Sequence, residues 1–169
     1  MRYSAIKTCD LNNGVGLRVS LWTQGCGGYC GSKCHNKETW DKTKGKEFTQ
    51  KEYELISNEI RRGQNLSILG GEPLEDYNIA DLTEFIKKIK SDFPKLDIWL
   101  WTNFKFENIK NLELIQYVDV LIDGKYIDSL HCDFRKSGII NDKYRGSTNQ
   151  RVIDVKKSLE QNKVVLING

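Results

Sequence analysis

Four short apolar runs recur along this sequence, each stopping at a glycine or a polar motif, with stretches of helical spacing between them. Leu17-Arg18-Val19-Ser20-Leu21-Trp22 alternates apolar and polar residues as a strand does. Leu66 to Leu69, Ile98 to Trp101 and Val118 to Ile122 read as further strands. Tyr53, Ile56 and Ile60 mark a helix between the first two strands, opened by the capping-box spacing Thr49-Gln50-Lys51-Glu52 and closed by Gly63. Leu82, Phe85, Ile86 and Ile89 mark a second helix, with Pro94 beyond its end, and Ile109, Leu112, Leu114 and Ile115 a third. Strand and helix in turn, with short connections, predict βαβ units, a parallel sheet and right-handed crossovers. Four units are too few to close an eight-stranded barrel. The expected fold is therefore α/β, a partial, open (β/α) barrel with a mostly parallel curved sheet, in a single domain over 1–169.

Each strand runs into a motif with chemical potential. The first leads to a cysteine loop, the second to Gly70-Gly71-Glu72, the third to Thr102-Asn103 and the fourth to Asp123-Gly124-Lys125. In parallel α/β folds the carboxyl ends of the strands share one face, and sites collect there. Four separated pieces of sequence are thus expected to meet. Gly70-Gly71 exposes backbone with no side chain in the way, and Glu72 adds an acceptor suited to an ammonium or hydroxyl group; taken alone, the same three residues also describe a plain tight turn.

The cysteine loop is Gly25-Cys26-Gly27-Gly28-Tyr29-Cys30-Gly31-Ser32-Lys33-Cys34-His35-Asn36. Thiolates are soft ligands for iron–sulfur clusters and zinc, and the glycines let the backbone wrap a compact inorganic centre. A closed structural zinc site needs four ligands, and most cluster-binding electron carriers also use four cysteines. Three cysteines holding a cubane leave one iron open for a substrate or cofactor. The alternative is zinc, with His35, Cys9, Cys132 or His131 as the fourth ligand.

The chain of 169 residues is long enough for a core without staples. Its 26 basic and 23 acidic residues leave a net charge of +3, too balanced to point to nucleic acid. No apolar run approaches membrane-spanning length, and the N-terminus shows no apolar signal segment. Five cysteines, three of them clustered, suit metal binding in a reducing cytoplasm better than disulfides. From Tyr126 to Asn149 the pattern weakens; His131-Cys132 reads as a surface turn and Arg145 to Gln150 as a polar loop. Val152, Ile153 and Val155 suggest a further strand, which Val164 to Ile167 would pair at the sheet edge.

On these residues the chain resembles the radical S-adenosylmethionine superfamily, and within it the family of activases of anaerobic ribonucleoside-triphosphate reductase. The loop and the Gly-Gly-Glu turn carry the superfamily likeness. Cys9-Asp10, Asn13-Gly14, Thr39-Trp40, Asp119 to Ile127 and Tyr144 to Arg151 extend it nearly end to end, and Asp123-Gly124-Lys125 and Arg145 to Gln150 narrow it to the activases. One departure is visible: the usual Cys-x3-Cys-x2-Cys is here Cys-x3-Cys-x3-Cys, with Gly31 and Ser32 available to absorb the extra residue. The resemblance implies a single radical-SAM-type domain, with Cys26, Cys30 and Cys34 on three irons of one [4Fe–4S] cluster per chain. The fourth iron would chelate the amino and carboxylate groups of S-adenosylmethionine. Gly70, Gly71 and Glu72 would hold the methionine amino end, and Lys33, Cys34 and His35 would lie alongside the cofactor. Reductive cleavage would give methionine and a 5′-deoxyadenosyl radical, which would leave a glycyl radical on the large subunit of the reductase. A flavodoxin-like protein would supply the electron. Two alternatives stand beside this: activation of a different glycyl-radical enzyme, and a non-enzymatic zinc-binding adaptor.

Overall fold

A computed structural model of the chain, describing residues 1–167, is built on one seven-stranded sheet. The strands are β1 (Arg2–Asp10), β2 (Arg18–Thr23), β3 (Lys46–Glu47), β4 (Asn65–Gly70), β5 (Ile98–Thr102), β6 (Val120–Asp123) and β7 (Arg151–Asp154), in the order β3-β1-β2-β4-β5-β6-β7. The four central strands, β2, β4, β5 and β6, run parallel, as the strand–helix alternation predicts. Antiparallel strands extend the sheet on both sides, β1 and β3 beyond β2 and β7 beyond β6. The sheet is open rather than closed on itself.

Period-two alternation sorts the strand side chains onto two faces. Val19, Leu21, Leu66, Ile68, Ile98, Leu100 and Leu121 are fully buried and form one core with Ile56, Leu82, Ile86, Ile89, Leu114 and Ile115. Those last residues lie on or beside α1 (Gln50–Arg61) and α2 (Asp76–Asp92), so the helices cover this face. The expected capping box is present: Thr49 Oγ1 accepts from the Lys51 amide, and Glu52 accepts from the Thr49 amide at 2.9 Å. Gly63 follows the α1 terminus with a φ of 94°.

The opposite face carries a smaller cluster of Trp99, Val120, Ile122 and Val152, against which Trp101 and Tyr144 pack. Arg18 fills its amino-terminal end and is fully buried. Its guanidinium donates to Ser67 Oγ (2.6 Å), Val15 O (2.9 Å), Asp97 Oδ2 (2.7 Å) and Leu66 O (2.6 Å), and it lies 5.2 Å from the Trp99 ring centre. A buried charge is tolerated only when it is paired and bonded in this way.

Three expectations need correction. Arg2–Asp10 is a nine-residue strand that the apolar pattern did not show, because only Tyr3 and Asp10 of it are buried. The third helix is broken into a single turn, α3 (Phe106–Ile109), and a 3-10 segment Glu113–Tyr117, because Leu112 between them has extended backbone (ψ 132°). β7 stops at Asp154, whose carboxylate accepts from the Lys157 amide (3.0 Å) and so caps a further helix, α4 (Val155–Glu160); Val155 is helical. The final apolar run does meet β7, through a bridge between Ile153 and Leu166.

Candidate metal centre

Register levels the carboxyl ends of the parallel strands, since Thr23 pairs with Gly70 and Thr102 with Asp123. Above them opens a cleft of about 200 Å³. Its walls bring together Cys26, Cys30, Cys34 and His35 from the cysteine loop, Trp40 behind it, Gly70 and Gly71 after β4, Trp101 to Asn103 from β5, Tyr126 after β6, and Gly146 and Gln150 before β7.

The root of the cysteine loop is fixed by main-chain hydrogen bonds. Gly25 N donates to Thr39 O (2.7 Å) and Cys26 N to Trp40 O (3.1 Å), while Glu72 N donates to Gly25 O (2.8 Å). This last contact explains the second glycine of the pair. A Cβ on Gly71 would stand 2.3 Å from Gly25 O, so no side chain fits there. Further out the loop is looser. Gly31–Lys33, between Cys30 and Cys34, is one exposed 3-10 turn with Gly31 at a φ of 63°. Lys33 lies on this exposed turn, outside the cleft lining, whereas His35 lines it and packs against the Tyr126 ring with centroids 5.1 Å apart.

Glu72 lies behind the wall rather than in it. The residue is fully buried, and its carboxylate accepts four hydrogen bonds: Leu74 N (2.9 Å), Thr102 Oγ1 (2.7 Å), Asn103 N (2.7 Å) and Asn103 Nδ2 (2.9 Å). Burial pushes the carboxyl upward from its ordinary value, and these donors pull it back. The acceptor capacity that a ligand ammonium would use is therefore already spent. What Glu72 does is lock the ends of β4 and β5 together and orient Asn103, whose Oδ1 accepts from Cys30 Sγ at 3.3 Å. Thr102-Asn103 stood out in the sequence only as a strand-end motif; its tie to Glu72 spans 31 residues and leaves no local signal.

The other polar motifs brace the cleft. Asp123 is buried; its carboxylate accepts from Phe106 N (2.7 Å) and pairs with Arg151, which also holds Glu107. Gln150 accepts from Gly146 N (2.9 Å) and donates to Gly124 O (2.9 Å). Arg145 pairs with Asp142 (2.6 Å) and donates to Gln150 O (3.1 Å), so it holds its own loop.

Several features fit an iron–sulfur cluster. Three thiols border one cleft, and burial pushes those of Cys26 and Cys30 up. Such thiols stay protonated until a cation arrives, and a metal stabilises the thiolate. A single zinc ion needs ligands converging at ~2.3 Å, whereas a cluster takes each thiolate on a separate iron. Of the alternative fourth ligands only His35 reaches the cleft; Cys9, His131 and Cys132 lie outside its lining. Trp40 lines the cleft, and its Nε1 is buried with no partner among the described residues. No described helix is long and apolar enough to cross a membrane.

Residues 12–153 match the family described as a 4Fe-4S single cluster domain. The chain is also similar to curated proteins named anaerobic ribonucleoside-triphosphate reductase-activating protein. That of Enterobacteria phage T4 is 39% identical over 154 residues, covering 90% of this chain and 93% of the relative. That of Escherichia coli K12 is 32% identical over 158 residues, covering 90% and 97%. That of Vibrio cholerae is 31% identical over 156 residues, covering 89% and 96%.

Proposed function

Because this chain belongs to the family of anaerobic ribonucleoside-triphosphate reductase-activating proteins and to the 4Fe-4S single cluster domain family, we propose that it activates its reductase by radical S-adenosylmethionine chemistry. Cys26, Cys30 and Cys34 would each hold one iron of a [4Fe–4S] cluster, leaving the fourth iron for the amino and carboxylate groups of S-adenosylmethionine. When both are bound, they would supply one-electron reductive cleavage of the sulfonium to methionine and a 5′-deoxyadenosyl radical, which would take hydrogen from a glycine of the reductase large subunit.

The chain's own residues supply position and shielding. Gly70 and Gly71 present bare main chain where an ammonium can dock. Glu72 acts through Asn103 and Thr102, holding that edge rigid. His35 and Tyr126 form an aromatic wall beside the third ligand, with Lys33 on the turn outside it. An electron from a flavodoxin-like protein would start the cycle.

The observation that carries this reading is the meeting of three cysteines with the side-chain-free Gly70-Gly71 edge in one cleft. Anaerobically prepared protein is expected to be brown and to hold iron and sulfide in equal amounts. With the reductase, S-adenosylmethionine and a reductant it should yield a glycyl-type doublet in electron spin resonance. A colourless preparation holding one zinc per chain would overturn the assignment.

A further inference from the structure

Between β6 and β7 the chain makes an excursion that buries none of its own apolar side chains. From 127 to 140 no residue is buried, yet Ile127, Leu130, Phe134, Ile139 and Ile140 lie there, between 37% and 47% exposed. The excursion is nonetheless ordered at its base. Thr148 N donates to Leu130 O (2.8 Å), Cys132 N to Gly146 O (3.2 Å), and Ile127 N to Ser147 Oγ (3.2 Å). An apolar surface of this kind on a stapled frame marks an interaction site. It adjoins the cleft, because Tyr126, next to Ile127, and Gly146, bonded to Cys132, both line the cleft.

Charge narrows the occupant. The nearby carboxylates are already engaged: Asp128 accepts from Tyr126 Oη, Asp133 from the Arg135 amide, and Asp142, just beyond the excursion, pairs with Arg145. Lys125, Arg135 and Lys136 are exposed and enter no ion pair among the described residues. The surface is thus apolar with a basic rim.

The geometry points to residues 127–140 as the docking surface for the reductase, received on an apolar, acid-bordered face of its large subunit that surrounds the residue to be activated. This rests on the function proposed above. Docking here would place the partner against the mouth of the cleft and exclude water from it.

The test uses the anaerobically reconstituted full chain carrying Leu130→Asp with Ile139→Asp, and separately Arg135→Glu with Lys136→Glu. Three quantities are read: affinity for the reductase large subunit, glycyl-radical yield, and S-adenosylmethionine cleavage by chemical reductant without the partner. At least tenfold weaker binding and a matching loss of radical are expected from both pairs, with partner-free cleavage and melting temperature unchanged. The charge-reversed pair should also lose most of the salt dependence of binding. Unchanged affinity in both pairs would overturn the assignment, and so would loss of self-association without loss of reductase binding. If wild-type protein cleaved no S-adenosylmethionine, the proposed chemistry would fail, while the affinity measurement would still decide the surface.

Discussion

The cysteine loop and the wall facing it line the same cleft but are built in opposite ways. In the wall, every oxygen of Glu72 is engaged, Thr102 and Asn103 are locked to it, and the strand ends are held level by the sheet. In the loop, the root is tied down through Gly25, Cys26 and Gly27 to Thr39, Trp40 and Glu75, whereas Gly31–Lys33 stands in solvent. The wall is finished by folding alone; the loop is left for the metal to finish. That division suits a centre whose ligands must be deprotonated as the metal arrives, beside a binding edge that must already be in place.

Removing a ligand separates the two regions most sharply. Cys26→Ala, or the same change at Cys30 or Cys34, should abolish cluster binding and lower glycyl-radical yield more than a hundredfold. Denaturant stability of the metal-free protein should move by less than about 1 kcal/mol, the usual range for partly exposed positions. Iron and sulfide assays with a urea titration check this, and a large loss of stability would break the contrast.

Glu72→Gln attacks the other side. A glutamine turns one N–H donor toward donors already aimed at the carboxylate, so unfolding free energy should fall by roughly 2–3 kcal/mol. Cofactor affinity should fall as well, since Asn103 loses its anchor. Wild-type stability in this variant would mean that the wall is not preformed.

Gly71→Ala tests the seam between the regions. Its Cβ would stand 2.3 Å from Gly25 O, so the loop root must move, at a cost of roughly 1–3 kcal/mol. Iron incorporation should drop with it, although no ligand is altered.

The smallest effect concerns Glu107, which only braces the Asp123 side. Its bond with Arg151 holds its carboxyl down at about 2, against an ordinary 4.5. A lowered folded value stabilises above 4.5, and that contribution disappears as pH falls from 4.5 through 2. Because Glu107 is half exposed, the contribution is worth less than about 1 kcal/mol. Glu107→Gln should therefore flatten the acid limb of the stability profile slightly and leave cluster content unchanged.

Local signals told most where one element carries its own evidence. The Thr49–Glu52 box, the four parallel strands and the motifs at their ends could all be read from spacing, because each rests on residues close in sequence. Arg2–Asp10 could not be read, since a strand with two buried residues lacks the alternation that betrays a half-buried one. Glu72 misled for a different reason. An acid after two glycines looks like a ligand group until Asn103, far along the chain, is seen to claim it. Likewise Arg145 and Gln150 read as a polar loop, although each braces the fold, through Asp142 and Gly124 respectively.

Arg18 has one more consequence. Its partners Val15, Leu66, Ser67 and Asp97 stand before or at the starts of β2, β4 and β5, so one side chain ties three strand starts together. None of these residues lines the cleft, so the end of the sheet opposite the site is braced by residues the site does not use.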